Sequence, residues 1–261
     1  MALGETYRAY AEAMWDAMSS LATWHPDVAL SIGDVVRAGP GGVVHRETTL
    51  AKLGVATDRL THSRHDASPV REHRGVTLSA AGSASVAAGG RVRASFSKAS
   101  SFLVVTAQGW LDTVDSSAEA RVVVEELHAG EAWESDWHLV SSVRTYPACT
   151  ILIAKSAGVG LDVEVDLSAV SGALTPNSIR AGATVSVNSD HASHWVMDFD
   201  STPFYEAIGM RRRGLRRRVS ADHSEYLTRA GSATEIEADR RETEEVAWVA
   251  QRSSPTDLGL L

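Results

Sequence analysis

The chain of 261 residues is 44% hydrophobic and 22% charged, which excludes a disordered, collagen-like or disulfide-stapled molecule and leaves an ordinary globular chain. A single cysteine, Cys149, excludes an internal disulfide framework and a thiolate-built zinc cluster, and it points to a reducing, intracellular setting. The formal net charge of −8 is unevenly spread: six arginines face one acid between 205 and 220, and nine acids face four arginines from 221 onward, as for a cationic surface masked by its own chain.

The opening MALGETYRAYAEAMWDAM lacks a basic segment followed by an apolar one and reads as no secretory signal. The longest apolar runs, such as 102–105 and 151–154, fall far short of the roughly 20 residues of a spanning helix, so a chain made as a soluble protein is expected. In chain order, Tyr7, Tyr10, Ala11, Met14, Met18 and Leu21 lie at helical spacing and predict a helix over 5–22. Val28, Leu30 and Ile32 alternate with small or polar residues and predict a strand, which Gly39-Pro40-Gly41-Gly42 turns into Val43-Val44. One helical turn over 48–53 stops at Gly54. Residues 57–75, with His62, His65 and His73 and four arginines, have no sustained apolar period and read as a loop.

From Val76 the period becomes two. Val76 and Leu78, then Val92, Ala94 and Phe96 beyond Gly89-Gly90, alternate with polar residues and predict a long hairpin of small side chains. A strand over 102–107, a helix over 118–129 ended by Gly130, and two strands over 137–146 and 149–155 broken at Pro147 follow. Leu161, Val163, Val165 and Leu167 alternate with Asp162, Glu164 and Asp166, and Ala183, Val185 and Val187 repeat the pattern, predicting a second amphipathic pair. A strand over 193–199, a short helix within 202–218 running into the arginines, and a charged helix over 235–251 close the chain. The sum is an α+β fold of eight or nine mostly antiparallel strands in a twisted sheet, with an N-terminal helix, peripheral helices and a C-terminal helical tail.

Motifs for bond chemistry are missing: no G-x-S-x-G, no phosphate-binding glycine loop and no H-E-x-x-H occurs. Cys149, between Ala148 and Thr150 in an apolar strand, reads as core filler. Asp190, His191, His194, Asp198 and Asp200 form the densest set of metal-ligating types, set against the plainer reading of a polar turn and strand edge. A strand face carrying Asp162, Glu164 and Asp166 must meet water, cations or arginines. The block Arg211, Arg212, Arg213, Arg216, Arg217 and Arg218 suits anionic headgroups, nucleic-acid phosphates or the chain's own acidic tail.

The N-terminal helix, the hairpin about GDVVRAGPGG, the TTLAKLGV turn, the stretch VTLSAAGSASVAAGGRVRASFSKASSFLVV, the strand WHLVSSVRTYPACTILIAKS and a second pair ending near STPFYEAIGM follow one another in an order that resembles the pore-forming domain of gasdermins, including the small bacterial ones. The likeness spans roughly 5–210 and is one of order and pattern. It implies a body over 1–220 and an autoinhibitory tail over 221–261, in which Val246, Trp248, Val249, Leu258, Leu260 and Leu261 hold the tail to the body. It further implies that Val76, Leu78, Val92, Phe96, Leu161, Val163, Val165 and Leu167 would face lipid in a pore, that Asp162, Glu164 and Asp166 would face its lumen, and that the arginine block would contact anionic lipid.

The expected activity is therefore that of a non-enzymatic pore former of the cell-death and antiphage-defence type. It would need no cofactor or metal, rest in the cytoplasm, and oligomerise in the inner membrane once a protease removes the tail. The chain departs from the bacterial family at Met1-Ala2-Leu3-Gly4, where a lipidated cysteine is usual. Two other readings stand beside it: an α+β binding module whose arginines take nucleic acid or an acidic partner, and a metal enzyme built on His191, His194, Asp198 and Asp200.

Overall fold

The computed structural model describes residues 3–23, 25–26, 28–39, 43–80, 91–164, 179, 181–182, 185–186, 192–212, 248–256 and 258. Helix α1 (Leu3–Met18) buries Tyr7, Tyr10, Ala11 and Met14, as their spacing requires. It ends before 22, because Ser19 takes a positive φ of 52° and its N–H bonds the Trp15 carbonyl at 2.7 Å; Leu21–Ala22 then forms β1. The glycine-proline hairpin has β2 at Asp34–Ala38, not at 28–32, paired with β3 (Val44–Thr49). The delay has a local cause: the Asp34 carboxylate accepts the Ser31 N–H at 2.9 Å and folds 31–34 into a turn.

The segment 57–75 is not a loop. It carries a 3-10 turn (Thr57–Arg59) and two strands, β4 (His62–Ala67) and β5 (Arg71–Arg74). Strands β6 (Val76–Ala80), β7 (Arg91–Phe96), β8 (Phe102–Thr106) and β9 (Gly109–Val114) precede helix α2 (Ser117–Ala129). The Ser116 hydroxyl caps α2 by accepting the Glu119 N–H at 3.2 Å, and Gly130 closes it. Next come β10 (His138–Tyr146), β11 (Cys149–Ala154), β12 (Val159–Glu164), β13 (Val185–Ser186) and β14 (Ala192–Met197). Two helix expectations fail: Ser201–Arg212 is a twelve-residue strand, β15, and Trp248–Arg252 is a strand, β16. Residues 213–247, with the rest of the expected tail helix, lie outside the described residues. The α+β class and the antiparallel pairing stand.

Three sheets share one lateral order. Strands β4, β9, β10 and β15 lie side by side in a central sheet; β5, β8, β11 and β14 do so in a middle sheet, and β6, β7, β12 and β13 in an outer one. Each chain segment runs through all three, so the body is a four-stranded antiparallel ribbon bent twice. The bends keep lateral hydrogen bonds: at the first, Thr106 N–H to Val70 O and Ala107 N–H to Ala148 O; at the second, Ser97 N–H to Gly75 O and Gly158 N–H to Phe96 O, all at 2.9 Å. Gly75 turns the second bend at a φ of 64°, where a Cβ would meet the Ser101 hydroxyl oxygen at 2.5 Å.

The central sheet carries more. A register shift at Ser141 separates the part of β10 that pairs with β2 (His138–Leu139) from the part that pairs with β9 (Ser142–Thr145). The far edge of β15 is likewise divided between β1 at Phe204–Tyr205 and β16 at Ile208–Arg212.

Three cores follow from the folding of the ribbon. One joins α1, the central sheet and one face of the middle sheet through Tyr10, Phe102, Val104, Ile151 and Phe204. A second joins the other middle face, through Leu103, Val105 and Leu152, to the outer sheet. The third packs Ala120, Val123 and Val124 of α2 on Val35, Leu139, Ile208 and Met210. A sheet covered on both faces needs apolar residues at every position, which explains the unbroken apolar runs 102–105 and 151–154. At the first bend β9 approaches β10 so closely that a Cβ on Gly109 would overlap the Thr145 carbonyl oxygen. Gly109→Ala should therefore cost about 3 kcal/mol, as forced backbone shifts in packed sites do, and urea unfolding at constant m-value checks it.

Candidate functional site

The two amphipathic pairs of the sequence meet in the outer sheet. The hairpin β6–β7 and the pair β12–β13 are neighbours through β7 and β12, with Val92 opposite Val163, Ala94 opposite Leu161 and Phe96 opposite Val159. Val76, Val92, Phe96, Leu161 and Val163 are buried against the middle sheet, and half-buried Leu78 packs beside them. The opposite face exposes Thr77, Ser79 and Arg93. There Asp162 lies opposite Arg93 and accepts its Nε–H at 3.1 Å, so the acidic strand face finds an arginine partner. Glu164 stands opposite Arg91 in register. Val165, Asp166 and Leu167 lie outside the described residues, as do the hairpin tip 81–90 and the residues 187–191 before β14.

The C-terminal segment is held by strand pairing. β16 pairs with the last five residues of β15, Arg211 opposite Val249 and Arg212 opposite Trp248. Arg211 and Arg212 thus belong to a strand and not to a helix, and Arg211 is exposed; Arg213, Arg216, Arg217 and Arg218 lie outside the described residues. The Ala250 N–H donates to Glu125 of α2 at 3.1 Å, and the Ser253 N–H donates to the Ala207 carbonyl at 2.7 Å. Val249 is half-buried, and Leu258 is buried in the core under α1. Val246, Leu260 and Leu261 lie outside the described residues.

Arg252 fastens this segment. Its guanidinium pairs with Glu206 of β15 at 2.7 Å, donates to the Ser19 carbonyl past the end of α1, and lies over the Trp15 ring at 5.3 Å. One side chain thereby ties the C-terminal strand, the central sheet and the N-terminal helix. Burial pushes the Glu206 carboxyl above the usual carboxylate range, against the opposing pull of Arg252 and Arg144.

Among the metal-ligating candidates, His194 is exposed on β14, and Asp198 and Asp200 are exposed in the turn before β15. Among the described residues no three His, Cys, Asp or Glu side chains come together as a metal site; Asp190 and His191 lie outside them. Cys149 is buried, and burial pushes its thiol up, as for a core side chain. Sequence reasoning missed His138, Glu206 and Arg252. A polar residue within the strand expected over 137–146 was the one signal for His138; Glu206 stood in a segment expected to be helical, and Arg252 carried no signal.

No known protein family matches the chain, and no curated protein matches it. Among the described residues no helix is long and apolar enough to cross a membrane, which says nothing of strands.

The Arg252 contacts yield a two-sided expectation. Arg252→Ala should speed amide exchange of 249–252 roughly five-fold, corresponding to about 1 kcal/mol for a partly exposed charged pair. Acidification should do the same locally, because protonated Glu206 no longer attracts Arg252. Global stability takes the opposite sign: a carboxyl raised in the folded state binds protons before the unfolded chain does, so its contribution grows as pH falls through the folded value. Exchange measured between pH 4.5 and 7 should show local loosening in the native protein and none of this pH dependence in Glu206→Gln.

Proposed function

We propose that this protein is a latent pore former: it is held closed by its C-terminal segment, and once a protease removes that segment it assembles with further copies and passes the outer-sheet hairpins into a membrane. The observation that carries the reading is the outer sheet, in which the pairs β6–β7 and β12–β13, from distant parts of the chain, lie side by side and Val76, Val92, Phe96, Leu161 and Val163 share one buried apolar face. A strand that spans a bilayer needs about 9–11 tilted residues, apolar toward lipid and polar toward the lumen. The outer strands have six residues or fewer, so insertion requires the second bend to straighten. Straightening at Gly75 would join β5 to β6 as 71–80, long enough to span, with Glu72 and Arg74 on the face of Val76 and Leu78 and therefore confined to its headgroup end.

The energetics favour such a move once copies assemble. An apolar face that leaves the middle sheet for acyl chains stays out of water, whereas open edges at β6 and β13 are intolerable in hydrocarbon unless neighbouring copies close them. The arginines after β15 would bring the sheet to an anionic leaflet, each adding on the order of 1 kcal/mol near the surface before screening. The resting protein would then be cytoplasmic and the assembled one would reside in the inner membrane.

The test is dye release from phosphatidylglycerol-containing vesicles by protein carrying an inserted cleavage site after Ala233. Leakage should begin only on cleavage. In planar bilayers Glu164→Lys should shift the ion preference toward anions, because that strand face would line water. A cleaved, cooperatively folded protein that sheds its C-terminal fragment and yet releases no dye overturns the reading; if that protein instead binds DNA or RNA, the arginine block belongs to a nucleic-acid module.

A further inference from the structure

β16 is not the return arm of a tight hairpin. Residues 213–247 stand between Arg212 and Trp248, whereas hairpin loops take about two to five residues, so the contacts that seat β16 are ones that a separate chain of like sequence could make. They form a slot with two walls. On one side β15 offers its backbone from Ile208 to Arg212, and on the other the Glu125 carboxylate of α2 accepts the Ala250 N–H at 3.1 Å.

Three side chains in the slot are read separately. Ala250 is buried in the core that α2 forms with β15, where a longer side chain would overpack. Arg252 meets the Glu206 carboxylate at 2.7 Å, the Ser19 carbonyl and the face of the Trp15 ring, a set that suits a planar guanidinium better than an ammonium. Ser253 is reached from two strands away, since the His138 Nδ1 of β10 lies 2.7 Å from its hydroxyl. Gly209 of the intervening β15 makes this possible: its φ is not positive, so no backbone angle demands glycine, but a Cβ there would meet His138 Nδ1 at 2.5 Å and the Ser253 hydroxyl oxygen at 3.1 Å. The position is kept open so that His138 and Ser253 can meet across the strand.

We propose that this slot is a peptide-recognition site, which takes by strand addition an extended segment of a partner protein carrying a small residue, any residue, arginine and serine in succession, and that the segment displaces the chain's own β16. In strand addition the backbone supplies affinity and the side-chain contacts supply specificity. Charge points the same way, because Glu125 and Glu206 both face the occupant and favour a cationic strand over an acidic one. The chain's own β16 lowers the apparent affinity for a partner by the fraction of time that the slot is free. Opening without proteolysis rests on the latch reading above; recognition and displacement need neither a membrane nor a pore.

The test adds an acetylated peptide of residues 248–258 to the intact protein. Amide exchange of the chain's own 249–252 should rise saturably while 208–212 stay protected. Arg252→Ala in the protein, which loosens its own strand, should tighten peptide binding roughly five-fold. In the peptide, Arg252→Ala should weaken binding roughly five-fold, and Ala250→Leu or Ser253→Val roughly ten-fold each. In Glu206→Gln protein the ratio between native and Arg252→Ala peptides should shrink to about two-fold, a ratio that does not depend on how far the protein's own strand is loosened. Equal binding of all the peptides, or unchanged exchange of 249–252 at millimolar peptide in both native and Arg252→Ala protein, overturns the proposal. A dimer that forms with concentration and without peptide, and that exchanges β16 between copies, would assign the slot to a second copy and overturn it as well. Displacement by peptide without leakage on cleavage leaves the slot standing and removes only the pore reading.

Discussion

The lateral order β4, β9, β10, β15 governs the molecule. It is set once in the central sheet and then kept through two bends, so that β5, β8, β11, β14 and β6, β7, β12, β13 inherit it strand for strand. Each bend must preserve cross-strand hydrogen bonds while it reverses the ribbon, and this restricts what stands there: Gly75 and Gly158 adopt positive φ, and Pro147 separates β10 from β11. Stacking three layers of one ribbon gives the middle layer two dry faces. Leu103 and Val105 then serve one core while Phe102 and Val104 serve the other.

Much of this was legible where one face is wet and the other dry. The period-two alternations at 76–97 and 161–187 disclosed amphipathic strands, and α1 and α2 were marked by their apolar stripe and by Ser116 and Gly130. Two kinds of strand were not. Ser201–Met210 is buried at nearly every position, and a run without alternation cannot be told from a buried helix by its period. β4 fails for the opposite reason, since His62, Arg64, His65 and Asp66 are all exposed and its place is fixed by pairing with β9, where Arg64 grips Asp112 at 2.7 and 2.9 Å. β16 is a short edge strand that borrows its order from β15, which a window over 235–251 reads as the end of a charged helix.

The candidate site was legible as faces and illegible as a place. Alternation told which of Val76, Phe96, Leu161 and Val163 turn inward, but the adjacency of the two pairs depends on β7 meeting β12 across more than sixty residues of chain, which no local pattern encodes. The close approach about Gly209 is further removed, for it needs three strands in register and a position without a Cβ. A glycine in an apolar run signals only that something comes close. What comes close is decided by β10 on one side and by the C-terminal segment on the other.

The far edge of β15 concentrates the controls. β1 covers Phe204–Tyr205 and β16 covers Ile208–Arg212, so the edge is closed by one piece from each end of the chain, and Arg252 joins the two by holding Glu206, Trp15 and the Ser19 carbonyl together. Withdrawal of β16 therefore does three things at once. It opens five residues of unpaired edge, which invites another chain to pair; it frees the end of α1 from its guanidinium; and it leaves Glu206, already raised by burial, without its nearest cation. Because the same ribbon runs on from β15 through β14 to β13, a change at this edge lies on the chain segment that borders the outer hairpins. Under the latch reading proposed above, release of the C-terminal segment would act on the outer sheet along this chain segment.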